Sequence, residues 1–145
     1  MTEVAFHFNA TDKWAYSCRL LRKAVAAGSR VVVTGTAPTL AQLDRQLWEF
    51  SATDFVPHCS SDCQDAAVLT ASPVVLCAAL GFAPHHEVLL NLGDDVPSGF
   101  EQFERLLEVV GLEPDELQRS RTRWKHYKDR GYLVAGHDVG AGARN

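Results

Sequence analysis

The sequence predicts a single-domain α/β fold, with a mostly parallel sheet flanked by helices. Three observations predict it. Short β-branched runs alternate with amphipathic stretches of helical period from the start of the chain. The run RVVVTG (30–35) is apolar without alternation, as in a strand covered on both faces of a parallel sheet. The 145 residues can bury one sizeable core, and no internal repeat or interdomain linker divides them, so residues 1–145 read as one domain.

The elements follow in order. EVAFHFN (3–9) alternates and is rich in β-formers, which predicts an opening strand. Thr11-Asp12 can cap a helix whose apolar positions Trp14, Tyr16, Leu20, Leu21, Ala24 and Val25 recur at helical spacing. Gly28 ends it, because a glycine accepts positive φ at little cost. After the strand at 30–35, residues 37–50 carry Leu40, Leu43, Leu47 and Trp48, a second amphipathic helix. FVPHC (55–59) reads as an extended run and SSDCQD (60–65) as a polar loop. PVVLCAAL (73–80) and EVLLNLG (87–93) read as strands. PSGFEQFERLLEVVG (97–111) carries Phe100, Phe103, Leu106, Leu107 and Val110 and predicts a third amphipathic helix stopped by Gly111. Pro114 sits near the first turn of a last helix reaching Gly131. The end of the chain, about 136–145, is small and polar and is expected to fray.

This β-α-β-α layout is Rossmann-like, but it has no nucleotide-binding motif. Neither GxxxxGK[ST] nor GxGxxG follows the first strand, and VTGTAP (33–38) holds a single glycine, too few for a pyrophosphate turn. A scaffold of this kind licenses no function by itself. No GxSxG elbow and no Cys/His catalytic signature occurs. Asp94-Asp95 reads as a turn rather than a catalytic carboxylate pair. His58, Cys59, Cys63, His85 and His86 are zinc-ligand types, but H-C-x3-C fits no common structural knuckle, so no metal and no cofactor is expected. No apolar run approaches the ~20 residues of a membrane helix. The N-terminus lacks the features of a signal peptide, so a cytoplasmic location with Cys18, Cys59, Cys63 and Cys77 reduced is expected.

Charge is the most informative feature. The net formal charge is −4, yet residues 119–130 hold Arg119, Arg121, Arg123, Lys125, Lys128 and Arg130 against one acid, Asp129. That segment is +5 and leaves −9 for the rest, which argues against a general nucleic-acid coat. On a helix, Arg121, Trp124, Lys125 and Lys128 fall on one face, and Arg119, Arg123, Tyr127 and Arg130 on an adjoining stripe. The plain account is a solvated basic face with Trp124 and Tyr127 as core anchors. The alternative is a site in which arginine holds a carboxylate by forked hydrogen bonds and the ring supplies an apolar seat. Single-stranded nucleic acid would also suit the combination. In LWEFSATDFVPHC (47–59), Trp48, Phe50, Phe55 and Pro57 offer core or, where exposed, an apolar patch for a protein partner.

Leu47-Trp48, Phe55-Val56-Pro57-His58, Val109-Val110 and the pattern Arg121, Arg123, Trp124, Lys125, Tyr127 ahead of Gly131 together resemble the chi-subunit family of bacterial DNA polymerase III holoenzyme. The resemblance is collinear from the first strand to about Gly131, and it rests on the order and spacing of all these features. It implies a non-catalytic accessory subunit of the DNA replication machinery. Such a protein would bind the psi subunit, and so the clamp loader, through Trp48 and Phe55. It would bind the acidic, phenylalanine-ended tail of single-stranded DNA-binding protein through Arg121, Trp124, Lys125 and Lys128, and reach single-stranded DNA only indirectly. Two other readings stand beside it: a direct single-stranded nucleic-acid-binding module on the same helix, and a zinc-dependent enzyme built on His58, Cys63 and His85 or His86.

Overall fold

The architecture is a seven-stranded sheet, in the order β3-β4-β2-β5-β6-β1-β7 with every pairing parallel. It is taken from a computed structural model that describes residues 1–49 and 56–142. The strands are β1 Glu3–Phe8, β2 Val31–Thr34, β3 His58–Ser60, β4 Val74–Leu76, β5 Val88–Asn91, β6 Arg105–Val109 and β7 Val134–Asp138. The helices are α1 Lys13–Ala26, α2 Ala37–Glu49, α3 Ala66–Ala71, α4 Pro114–Asp129 and the short α5 Val139–Gly142.

Local chemistry sets most of these boundaries. The Asp12 carboxylate accepts from the Ala15 N–H at 3.1 Å and caps α1. The chain leaves α1 through Gly28 at φ 84, the left-handed conformation that suits glycine. Asp65 caps α3 through the N–H groups of Ala67 and Val68. Pro114 opens α4, where a missing N–H costs nothing, and Asp115 and Glu116 in the first turn complement the helix dipole.

Alternate strand residues serve two cores. On one face, Val31, Val33, Leu90, Leu107 and Val109 pack against Cys18 and Leu21 of α1 and Leu43 and Leu47 of α2. On the other, Val4, Phe6, Val32, Leu89, Leu106 and Val110 pack against Tyr127 and Trp124 of α4 and against Phe100 and Phe103. All four residues of β2 and all four of β5 are buried, as a continuous apolar run requires.

Two expectations give way. The helix expected at 97–111 is a single 3-10 turn at Phe100–Gln102 followed by β6. Both faces of β6 are covered, so Leu106, Leu107, Val109 and Val110 are all apolar, and with Glu108 between the two pairs their spacing imitates a helical stripe. The first residues of the stretch expected to fray, 136–138, belong to β7, which pairs with β1 in parallel register, Ala5 opposite Ala135 and His7 opposite His137. Ladder hydrogen bonds hold it despite its small, polar composition.

Candidate functional site

β1 and β6 are neighbours, yet the chain leaves β1 for α1 on one face and β6 for α4 on the other. This is a topological switch point. In open α/β sheets, ligands settle in the crevice that forms there, outside the carboxyl ends of the strands. A cavity of about 500 Å³ opens at that place. Phe6, Phe8 and Val110 form its floor, Leu117 and Trp124 one wall, and Asn9, Ser120 and Arg121 its polar rim.

Trp124 is seated by its neighbours. Its ring lies 5.0 Å from that of Phe6. It also lies against the backbone of β7, where Gly136 has no side chain to obstruct it. A Cβ at Gly136 would stand 3.3 Å from the Trp124 ring and 3.2 Å from that of Phe8. Asn9 holds φ 64, a left-handed conformation that asparagine tolerates better than most residues, as β1 turns toward α1.

The basic helix divides by burial. Arg123 and Tyr127 are buried, Trp124 is half-buried, and Arg121, Lys125 and Lys128 are exposed. The buried pair closes a polar network around Glu108, itself wholly buried on β6. Arg123 Nε donates to Glu108 Oε1 at 3.1 Å, and the Tyr127 hydroxyl donates to Oε2 at 2.6 Å. The Asn91 amide nitrogen lies 3.1 Å from both carboxylate oxygens and from the Asp95 carbonyl. Arg123 Nη1 donates to the Asp94 carbonyl at 2.6 Å, which ties the 91–95 turn to α4. Burial pushes the Glu108 carboxyl above its ordinary range, against the pull of the Arg123 guanidinium and its hydrogen-bond donors. Burial, and then the Glu108 charge, drives the Tyr127 hydroxyl upward as well. Both groups thus serve to hold α4 at one angle and depth on the sheet. That placement presents Trp124 and Arg121 to the cavity.

Of the four residues predicted for an acidic tail, the structure brings Arg121 and Trp124 to one cavity. Lys125 points outward, 3.6 Å from Asp129 one turn on, an exposed pair of small energetic value. Lys128 lines a separate hollow of about 370 Å³ with Tyr132, Leu133 and His137. The expected stripe of Arg119, Arg123, Tyr127 and Arg130 is split: Arg123 and Tyr127 enter the core, whereas Arg119 is exposed, 3.6 Å from Asp94. A larger hollow of about 640 Å³ lies at the amino ends of β1, β5 and β6. Glu3, Glu87, Glu101 and Glu104 line it, so it would repel an acidic ligand.

At the far end of the sheet, Trp48 on α2 is 62% exposed, with its ring 5.4 Å from that of His58. His58 Nε2 lies 3.0 Å from Asp44 Oδ1 and Nδ1 lies 2.7 Å from the Val56 carbonyl, so this histidine ties β3 to α2. Phe55, the other residue predicted for the psi-facing surface, lies outside the described residues, as does Phe50. Among the described residues, no group of three or more His, Cys, Asp or Glu side chains could hold a metal ion. Cys59 lies on β3, Cys63 in the following turn, and His85 and His86 before β5.

Glu108 and Asn91 are the residues that sequence reasoning missed. The signal was present: a single acid inside RLLEVV and a single amide inside VLLN, each bracketed by residues of a buried strand. Reading 97–111 as a helix placed Glu108 on a solvent face and hid its partnership with α4.

The fold is a single α/β domain of Rossmann-like layout, with a cavity at the carboxyl ends of β1 and β6. The C-terminal domain of the DEAD-box protein Dbp5 shares that layout, with a TM-score of 0.55 over 94% of this chain and 90% of that one at 13% identity, a likeness of fold alone. Residues 1–135 match the family model described as DNA polymerase III chi subunit, HolC. The DNA polymerase III subunit chi of Pseudomonas aeruginosa is 31% identical over 144 residues, 94% of this chain and 96% of that protein. The same subunit of Haemophilus influenzae is 22% identical over 127 residues, 86% and 85% of the two chains. The chain belongs to the DNA polymerase III chi subunit family.

Proposed function

We propose that this accessory subunit is a non-catalytic adaptor. One end of its sheet binds the acidic, phenylalanine-ended tail of single-stranded DNA-binding protein, and the other end binds the psi subunit and through it the clamp loader. The observation that carries the reading is the cavity at the carboxyl ends of β1 and β6, which joins an apolar floor to Arg121 on the chain's one +5 segment. A peptide ending in phenylalanine would bury its ring against Phe6, Phe8 and Trp124. Arg121 would fork to the terminal carboxylate, with the Asn9 amide as a neutral donor beside it. Lys125 and Lys128, both exposed on the same helix, would attract the acidic residues upstream without fixing them. Single-stranded DNA is reached on this reading through the protein that coats it.

The psi-facing surface is assigned to Trp48 with Phe55. Its support is the exposure of Trp48, a large ring left outside the core on α2. The assembly requires no cofactor and works in the cytoplasm. No helix of the described residues is long and apolar enough to cross a membrane.

The test is calorimetric titration with a short acidic peptide ending in Pro-Phe, repeated with the phenylalanine removed. Binding that vanishes with the last residue supports the adaptor; equal binding of both peptides overturns it. For the second surface, Trp48→Ala should lose co-purification of the psi subunit while keeping the peptide. Retention of psi would move that surface elsewhere.

A further inference from the structure

We propose that the uncovered face of the sheet at its β1–β7 edge binds single-stranded nucleic acid directly, by stacking bases on Tyr16, His7 and His137 beside the charges of Arg19 and Arg105. This surface is separate from the cavity beside Trp124, and the proposal goes beyond the adaptor reading without resting on it.

The face in question is the one that α1 and α2 cover over β2 and β5. Toward β1 and β7 the cover ends. Ala5 and His7 are half-buried, and Ala135 and His137 are exposed. Two small residues side by side leave the sheet open there, and three rings border the opening. The Tyr16 and His7 rings lie 5.7 Å apart and the His7 and His137 rings 5.2 Å apart, a continuous run from α1 to the edge strand. The Tyr16 hydroxyl bonds to His7 Nδ1, which fixes both rings in place. The Arg19 guanidinium carbon stands 5.9 Å from the Tyr16 centroid. Tyr16, Arg19 and Lys23 recur at i, i+3 and i+7 and share one side of α1. Arg105, exposed on β6, stands opposite Glu3 in the ladder and lines one hollow with Ala5, Ala135 and His137, while His7 stands opposite Val109.

Charge favours a polyanion. Residues 13–26 contain Arg19, Arg22 and Lys23 and no acid, Lys13 of the same helix being paired with Glu116. The nearby acids are Glu3, opposite Arg105 in the ladder, Asp12 and Asp138. The last two are committed to the backbone, Asp12 capping α1 and Asp138 accepting from the Gly140 N–H at 3.0 Å. Burial, with the charges of His137 and Arg105, holds the His7 ring well below its ordinary pKa, so at neutral pH it is an uncharged ring. Rings interleaved with cations are what strand-binding surfaces use, since every base has a face to stack and every link a phosphate to pair. An acidic peptide would engage the arginines but leave the three rings unused, which is why nucleic acid is the better occupant.

The test is fluorescence anisotropy of a labelled oligothymidylate of about 15 nucleotides at low salt, a length within the range such surfaces cover. The expected result is saturable binding that weakens about 5-fold or more in His137→Ala. The salt slope should fall by about one in Arg19→Ala. Arg121→Ala should leave oligonucleotide binding unchanged, as should a saturating acidic peptide ending in Pro-Phe. His137 is exposed, so its loss does not threaten the fold, and an unchanged urea midpoint verifies this. No binding at low salt overturns the proposal, as does full binding by both edge variants. Loss of binding in Arg121→Ala, or displacement by the peptide, would place the strand on α4 and overturn it too. Failure of the peptide alone to bind would remove the adaptor reading and leave this result standing.

Discussion

The Tyr127 hydroxyl lies 2.6 Å from Glu108 Oε2, a hydrogen bond between α4 and β6 that is buried beneath the helix. With Arg123 on the other oxygen, it makes the basic helix a fixed arm rather than a loosely attached one. The residues that give the segment its charge thus divide: Arg123 is buried against Glu108, and Arg121, two positions away, is exposed at the rim of the cavity.

Removing one member of this network should cost more than a surface change could. Arg123→Leu leaves a buried carboxylate without its counter-charge, which typically costs 3–5 kcal/mol, about the scale of a buried pair broken on one side. Tyr127→Phe loses one bond to a charged group and should cost about 1–3 kcal/mol. Urea unfolding measures both, and equal midpoints for the two variants and the parent would contradict the account.

The fold was legible where a pattern had only one interpretation. β2 and β5, α1 with its Asp12 cap and Gly28 stop, and α4 from Pro114 onward all stand where their sequences indicate. β6 was not legible, because a strand covered on both faces has no alternation and Leu106 to Val110 satisfies a helical template equally well. β7 was not legible either: its stability comes from pairing with β1, a contact no local composition reveals. For the candidate site, the sequence singled out Arg121 and Trp124, which line one cavity, but not the other residues lining it, Phe6, Phe8 and Asn9, which a parallel sheet brings from the other end of the chain.

Gly136 should prove a position of the site even though it carries no side chain. Its added Cβ in Gly136→Ala meets Phe8 and Trp124 at 3.2–3.3 Å, so the indole must shift into the cavity. Overpacking of this kind costs about 1–3 kcal/mol, partly offset by the lower entropy of the unfolded chain. The expected outcome is weaker peptide binding together with a modest loss of stability, checked by titration and urea unfolding on the same variant.

His7 predicts a specific acid sensitivity. Burial, then His137 and Arg105, lowers its pKa from 6.5 to about 4. The folded state therefore favours the neutral ring, and the unfolded chain takes up the proton first on acidification. The stability that this supplies is present above pH 6.5 and is lost as pH falls from there to about 4. In His7→Gln, unfolding free energy should vary less over that window than in the parent. An identical pH profile would contradict the assignment.

The cationic residues of α4 should not be equivalent. Arg121→Ala should weaken peptide binding by about 1–3 kcal/mol, as expected for a partly desolvated charged hydrogen bond. Lys125→Ala and Lys128→Ala should each cost less, about 0.2–1 kcal/mol, and that loss should shrink as salt rises. A larger loss at either lysine than at Arg121 would shift the carboxylate's place outward along the helix.

The most direct test uses a Trp14→Phe, Trp48→Phe variant in which Trp124 is the sole tryptophan, titrated with an acidic peptide ending in Pro-Phe. The account predicts a saturable change in Trp124 emission that disappears when the terminal phenylalanine is removed and is weakened in Arg121→Ala. Binding seen by calorimetry with no change in Trp124 emission would contradict it, and would place the peptide away from the cavity between β1, β6 and α4.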